Sequence, residues 1–215
     1  MSERSGQSDD PRVDLVVAGA DLVVTMDDDR RELAGGWVAC DGGFVTAVGA
    51  AGDRPPAALR VLRADGCLVT PGLVNTHHHI YQNLTRAYLP ATAASLFDWL
   101  TALYPRWALL DEEASYVSAW VGLAELAVGG CTTSTDHLYV HPAAGGDLLA
   151  AEIEAARDLG VRFHPTRGSM SLSQKDGGLP PDSVVQDDDT ILAASEEAVA
   201  RFHDPAPGAM VRVAL

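Results

Sequence analysis

The stretch Pro71-Gly72-Leu73-Val74-Asn75-Thr76-His77-His78-His79 decides the interpretation of this sequence. A short apolar run passes through a Pro-Gly turn, and three histidines follow where we predict that a strand ends. Because side chains of an extended segment alternate between two faces, His77 and His79 point to one side and His78 to the other. Two neutral imidazoles on one side of a strand end can hold one metal ion. We therefore predict that His77 and His79 are metal ligands; the alternatives are a polar cluster or an adventitious metal patch.

The sequence before this stretch has a pattern that is typical of a small β module. Short runs rich in Val and Leu alternate with turn residues, and no helical periodicity is found before about residue 94. Asp41-Gly42-Gly43 lies between two such runs and is a good hairpin signal. We predict a β-sandwich module of five or six strands over residues 12–70 that acts as scaffold. Residues 1–11, which are rich in Ser and Asp, are predicted to be a disordered tail.

After His79 the sequence alternates between helical and strand-like segments. Apolar residues recur at helical spacing from Leu96 onward, and the periodicity predicts three later helices at about 112–128, 147–159 and 190–203. Strands are predicted at 131–137 and 161–166, with a further one beginning at 211. This order predicts βα units of a (β/α)8 barrel over residues 71–215. Four units cannot close eight strands, so we expect only the first half of a barrel and regard the end at Leu215 as a truncation.

Polar residues follow each predicted barrel strand. His77 and His79 come after the first, Asp136 and His137 after the second, and Arg167 after the third. In a (β/α)8 barrel these positions open onto the face that carries the active site. Because neighbouring residues of a strand alternate in direction, only one of Asp136 and His137 can face the barrel interior.

Composition excludes several classes of partner. The net charge is −15, and Lys175 is the only lysine, which argues against binding to nucleic acid or to an anionic membrane surface. No apolar run approaches the ~20 residues that a membrane helix needs. The three cysteines are scattered and match no zinc or disulfide pattern, which is typical of free thiols in a reducing compartment. We therefore expect a cytoplasmic enzyme with a small-molecule substrate.

The residues around this stretch resemble those of the amidohydrolase superfamily. Within it, the sequence is similar to the aminohydrolases that deaminate purines, pterins and triazines. Beside the Pro71–His79 stretch, four segments carry this narrower resemblance: 77–86, 96–100, 130–139 and 162–170.

The resemblance implies a set of site residues. His77 and His79 match the first two metal ligands, and Gln82 matches a glutamine that hydrogen-bonds the substrate ring. Arg167 matches a position where an arginine can bind a ring carbonyl, and His137 and Tyr139 would line the pocket. A third histidine ligand, a nearby glutamate that acts as acid and base, another histidine and an aspartate ligand have no counterpart here. We expect them beyond Leu215.

The reaction implied by the resemblance is metal-dependent hydrolytic deamination of an amino-substituted, purine-like ring. Conversion of 8-oxoguanine to urate and ammonia is the leading case, with one divalent ion, zinc first and iron or manganese as alternatives. The resemblance also implies a homo-oligomer for the full-length protein. Alternatives are dechlorination, dealkylamination or amide cleavage of a triazine or other ring, and a catalytically inactive fragment.

Overall fold

The computed structural model describes residues 11–215, and the chain divides into two compact units, one ending at Pro71 and the other comprising Gly72–Leu215. Apart from Pro11, the tail expected at residues 1–11 lies outside the described residues. Over residues 11–71, the first unit contains seven strands: β1 (Val13–Ala18), β2 (Leu22–Val24), β3 (Glu32–Ala34), β4 (Trp37–Asp41), β5 (Phe44–Gly49), β6 (Ala58–Arg63) and β7 (Leu68–Val69).

The strands of the first unit form two sheets. A four-stranded sheet has the order β5-β4-β1-β6, and a three-stranded sheet has the order β3-β2-β7. The predicted hairpin joins β4 and β5, and Gly42 and Gly43 supply the positive φ angles that its turn requires. Val16, Trp37 and Ala39 form a small buried cluster. The prediction of five or six strands missed β3, whose three residues, Glu32–Ala34, include only one large apolar side chain.

The second unit is built on a parallel sheet in the order β10-β9-β8, which comprises β8 (Leu73–Asn75), β9 (Cys131–Leu138) and β10 (Arg162–Arg167). Its helices are α1 (Leu96–Trp107), α2 (Glu112–Val128), α3 (Leu148–Leu159) and α4 (Asp188–Phe202). A 3₁₀ helix, Ile80–Thr85, follows the three histidines. The expected strand at 211–215 is not a regular strand: Val211 and Ala214 make only isolated parallel bridges to β10.

Local sequence explains where the helices begin and end. The side chains of Asp111, Asp147 and Asp187 accept hydrogen bonds from the first turns of α2, α3 and α4. Gly160 ends α3 in the left-handed conformation, at φ +69°. These caps pair backbone groups at the helix ends that would otherwise have no partner within the helix.

The core of the second unit lies between the sheet and its helices. Trp107, Leu123, Leu138, Ile153 and Phe163 are among its fully buried side chains. Because alternate residues of β9 and β10 point into this core, the intervening residues point to the opposite face of the sheet. The sheet is open over the described residues. In that same part of the chain, none of the helices combines the length and apolarity that crossing a bilayer requires.

Candidate metal centre

His77 and His79 lie together just after β8. Their ring centroids are 5.4 Å apart, and the ring planes are nearly perpendicular, at 86°. A zinc ion ~2.1 Å from each ring nitrogen would lie roughly 3 Å from each centroid, so two rings on one tetrahedral ion have centroids roughly 5 Å apart. The observed separation fits two imidazoles that share an ion.

A hydrogen bond sets the tautomer of His79. Its Nδ1 atom lies 3.0 Å from the carbonyl oxygen of His137. Because a carbonyl oxygen only accepts, Nδ1 must carry the proton, and in the neutral ring the lone pair is then on Nε2. A histidine that binds a metal usually donates its other ring N–H in this way. His79 is therefore held in the form that can bind an ion through Nε2.

The ends of β8 and β9 are tied together beside this ring. The amide of His137 donates to the carbonyl oxygen of His78 over 3.0 Å. The rings of His137 and Tyr139 lie 5.4 Å and 5.6 Å from the His79 ring, between centroids. Burial, followed by the neighbouring His79, lowers the pKa of His137. The structure thus brings four of the predicted site residues into one group: His77, His79, His137 and Tyr139.

Gln82 lies in a cavity of about 620 Å³ that is also lined by all three histidines. It belongs to the 3₁₀ helix after His79, and its backbone amide donates to the carbonyl oxygen of His79 over 3.0 Å. Trp99 of α1 also lines the cavity. The Gln82 side chain is therefore within reach of a molecule that enters this cavity.

The first residue of that 3₁₀ helix is held on both sides of its backbone. The amide of Ile80 donates to Asp136 Oδ1 over 2.6 Å, and its carbonyl oxygen accepts from Ser118 Oγ of α2 over 2.6 Å. Ile80 is fully buried, and Asp136 is 1% exposed, whereas His137 is exposed. The alternation expected for Asp136 and His137 is confirmed: Asp136 points into the core and His137 to the other face.

Arg167 lies away from the histidine group. Its side chain is buried and lines a second cavity, of about 650 Å³, together with His141 and residues of α3 and α4. Its Nη2 donates to Gln186 Oε1 over 2.5 Å, and its Nη1 donates to the carbonyl oxygen of Gly168. Arg167 shares the core-facing side of β10 with Phe163 and Pro165. The structure therefore does not bring Arg167 to the cavity of Gln82, although both follow barrel strands.

Two residues that sequence reasoning did not single out shape the site. A Cβ atom on Gly168 would lie 2.6 Å from His137 Nε2 and 2.8 Å from Tyr139 Cβ, so only glycine fits there. The Nε2 atom of His141 lies 3.0 Å from the carbonyl oxygen of Gly168. Burial, followed by the charge of Arg167, lowers the pKa of His141 to about 4. An isolated glycine and a histidine beyond a strand give no signal by themselves.

The described residues contain two candidate metal ligands, His77 and His79. Between residues 11 and 215 there is no group of three or more His, Cys, Asp or Glu side chains arranged to hold an ion. Two imidazoles suit zinc, which takes a further carboxylate or imidazole and keeps one open position in catalytic sites.

The chain is similar to a known protein family and to several of its members. The model of the Amidohydrolase family matches residues 68–215. The 8-oxoguanine deaminase of Pseudomonas aeruginosa is 47% identical over 186 residues, covering 86% of this chain and 41% of the relative. The hydroxydechloroatrazine ethylaminohydrolase of Pseudomonas sp. (strain ADP) is 42% identical over 158 residues, covering 72% and 33%.

A solved structure shares the fold. The atrazine chlorohydrolase of Arthrobacter aurescens TC1, complexed with zinc, superposes with a TM-score of 0.86 at 31% identity, over 94% of this chain and 46% of that one. This likeness confirms the expected fold class, a partial (β/α)8 hydrolase barrel preceded by a β module. The chain spans less than half the length of these relatives.

Proposed function

Because the chain belongs to the amidohydrolase family, we propose that it forms part of a metal-dependent hydrolase that deaminates an amino-substituted, purine-like ring, with 8-oxoguanine as the leading substrate. The observation that carries the proposal is the His79 ring, whose Nδ1 contact with the His137 carbonyl leaves Nε2 free beside His77. Family membership alone would leave the metal role of these two histidines open.

In this proposal the residues of the chain have separate tasks. His77 and His79 would hold a divalent ion, which when bound lowers the pKa of water to about 7 and so provides a nucleophile near neutral pH. Gln82 presents an amide that can both donate to and accept from a heterocycle. His137 and Tyr139 limit the space beside His79. A cavity of about 620 Å³ is within the range of small-molecule sites, roughly 300–1,000 Å³.

Zinc is the ion we propose. A neutral imidazole is a good zinc ligand, and the solved relative from Arthrobacter aurescens TC1 is complexed with zinc. Iron and manganese accept the same donors, so metal availability also decides which ion is bound.

A cytoplasmic location is part of the same proposal. Cys40, Cys67 and Cys131 are all free in the structure. Free thiols persist in a reducing compartment, whereas oxidising compartments favour disulfides.

A second candidate activity is hydrolysis of a substituted triazine. Two relatives support it, the ethylaminohydrolase at 42% identity and the chlorohydrolase at a TM-score of 0.86. The same histidine pair and the same glutamine would serve either ring. The candidates therefore differ in the group that leaves, ammonia from a purine and an alkylamine or chloride from a triazine.

The test is product release by the protein from the whole reading frame that contains this chain, loaded with zinc. Ammonia is measured with 8-oxoguanine, guanine and isoxanthopterin, and alkylamine or chloride with substituted triazines. We expect ammonia release that is fastest with 8-oxoguanine and abolished in H77A and H79A. Faster turnover of triazines would favour the second candidate, and no turnover of any compound would refute both.

A further inference from the structure

Two carboxyl groups lie within hydrogen-bonding reach of each other in the core. Glu152 of α3 is fully buried, and Asp136 of β9 is 1% exposed. Among the described residues, neither oxygen of Glu152 and not Asp136 Oδ2 has a hydrogen-bond donor. A buried acceptor without a donor is unfavourable, and a buried unpaired charge is more so. The two carboxyls can be partners of each other only if one of them carries a proton.

The surroundings of the two carboxyls decide where that proton resides. Asp136 Oδ1 accepts from the amide of Ile80 over 2.6 Å, and this bond favours the ionised form of Asp136. No backbone donor of the described chain reaches Glu152. Burial raises the pKa of both groups, and the neighbouring Asp136 raises that of Glu152 further. The consistent assignment is a neutral Glu152 that donates to an ionised Asp136.

Asp136 is linked to both partners of the hydrogen bond that orients His79. Its side chain holds the amide of Ile80, the residue that follows His79. Its main chain leads directly into His137, whose carbonyl oxygen accepts from His79 Nδ1 over 3.0 Å. A shift of Asp136 would therefore move the acceptor and the imidazole relative to each other.

We propose that Glu152 and Asp136 are a proton-sharing carboxyl pair, and that Glu152 acts through Asp136 as a positioning residue for the metal ligand His79. This inference rests on the proposed role of His79 in binding a metal. Glu152 itself touches neither the ion nor the substrate. It lies among apolar side chains of α3 such as Leu148, Leu149 and Ile153, where a leucine would pack without the cost of a buried acid.

The test compares variants of the protein from the whole reading frame that contains this chain, at pH 7. E152Q replaces the acid by an amide that can still donate to Asp136, whereas E152L removes the donor. D136N retains an acceptor for Ile80 and gives Glu152 a donor, so that no shared proton is needed. E154Q is the matched control, since Glu154 is an exposed carboxyl on the same helix. Folding of each variant is checked by circular dichroism.

Infrared spectroscopy and zinc titration give two separate measurements. We expect the wild type and E154Q to show the C=O stretch of a protonated carboxylic acid, and E152Q to lose it. We expect E152L to bind zinc about tenfold more weakly than the wild type, which is the usual cost of losing a group that orients a ligand. E152Q and D136N should bind zinc as the wild type does. If E152L bound zinc weakly only because it was destabilised, normal zinc binding in E152Q and D136N would not be expected.

A third measurement does not depend on E152L being folded. The amide proton of Ile80 should resonate far downfield in the wild type, because its bond to a carboxylate is short, and should keep that position in E152Q. An absent acid band in the wild type, or a folded E152L that binds zinc as tightly as the wild type, would overturn the proposal. Failure of the proposed function has a different pattern: the wild type would bind no zinc, while the acid band and the Ile80 resonance would still uphold the pair.

Discussion

His79 Nδ1 lies 3.0 Å from the carbonyl oxygen of His137, so the metal-ligand candidate after β8 is oriented by the backbone at the end of β9. The contact crosses between neighbouring strands, and it determines which ring nitrogen faces outward.

Replacing either candidate ligand should weaken zinc binding. We expect H77A and H79A each to lower the zinc affinity of the chain by at least about tenfold, because one imidazole then remains where two fit a single ion. The measurement is competitive titration with a metal indicator. H164A, on β10, is the control and should bind as the wild type does. Equal affinity in all four proteins would show that zinc binds elsewhere.

Two buried serines of α2 allow stability to be separated from ligand positioning. Ser118 Oγ donates to the carbonyl oxygen of Ile80 over 2.6 Å, and Ser115 Oγ donates to that of Leu148 over 2.9 Å. S118A and S115A should each lower the free energy of unfolding by about 0.5–1.5 kcal/mol, because each removes one buried hydrogen bond. Only S118A should also weaken zinc binding. Chemical denaturation and zinc titration of both variants provide the check, and an equal effect on zinc would contradict it.

A methyl group at position 168 should disturb the wall of the site. The Cβ atom of an alanine would meet His137 Nε2 at 2.6 Å and Tyr139 Cβ at 2.8 Å. We expect G168A to lower the free energy of unfolding by about 1–3 kcal/mol, as overpacking of a well-packed region does. The resonances of both rings should shift in the NMR spectrum. S169A, at the exposed next position, should change neither property.

Some features of the site could be predicted from the sequence, and others could not. The positions of His77 and His79 were predictable because a strand alternates, and helix α2 was predictable over its full length from its periodicity. The buried role of Asp136 followed in part from the same alternation. Its partner Glu152 did not, because helical spacing places a charged residue on a face without revealing which strand residue lies opposite.

Gln82 and Arg167 should respond differently to substitution, although both were predicted to bind substrate. Gln82 lines the cavity of the histidines, whereas the Arg167 guanidinium is bound to Gln186 in a second cavity. Loss of an amide that bonds a substrate ring should lower kcat/KM of Q82A by about tenfold or more in the protein from the whole reading frame. R167M should lower the melting temperature with little change in KM. An R167M protein with normal stability and a raised KM would show that Arg167 reaches the substrate.

The Glu152 carboxyl should make stability depend on pH. Burial raises its pKa well above the ordinary value of 4.5, so the folded state binds its proton more tightly than the unfolded state does. Its contribution to stability is therefore fully present below about 4.5 and is lost as pH rises through the folded-state pKa.

The measurement for this pH dependence is a comparison of two proteins. Because E152Q has no proton to lose at this position, the free energy of unfolding of the wild type should decrease relative to that of E152Q as pH increases from 4.5. E154Q, compared with the wild type in the same way, should give a nearly flat difference. A flat difference for E152Q as well would show that Glu152 has an ordinary pKa.

The two hydrogen bonds to the Ile80 backbone affect the entropy of metal binding. Ordering one backbone residue costs about 1–2 kcal/mol, and for the residue after His79 that cost is met when the chain folds, through Asp136 and Ser118. An ion that arrives at His77 and His79 then has little chain left to order. The affinity of the ion should therefore depend on the donor atoms and their charge. Thermal loosening of the turn should change it only weakly.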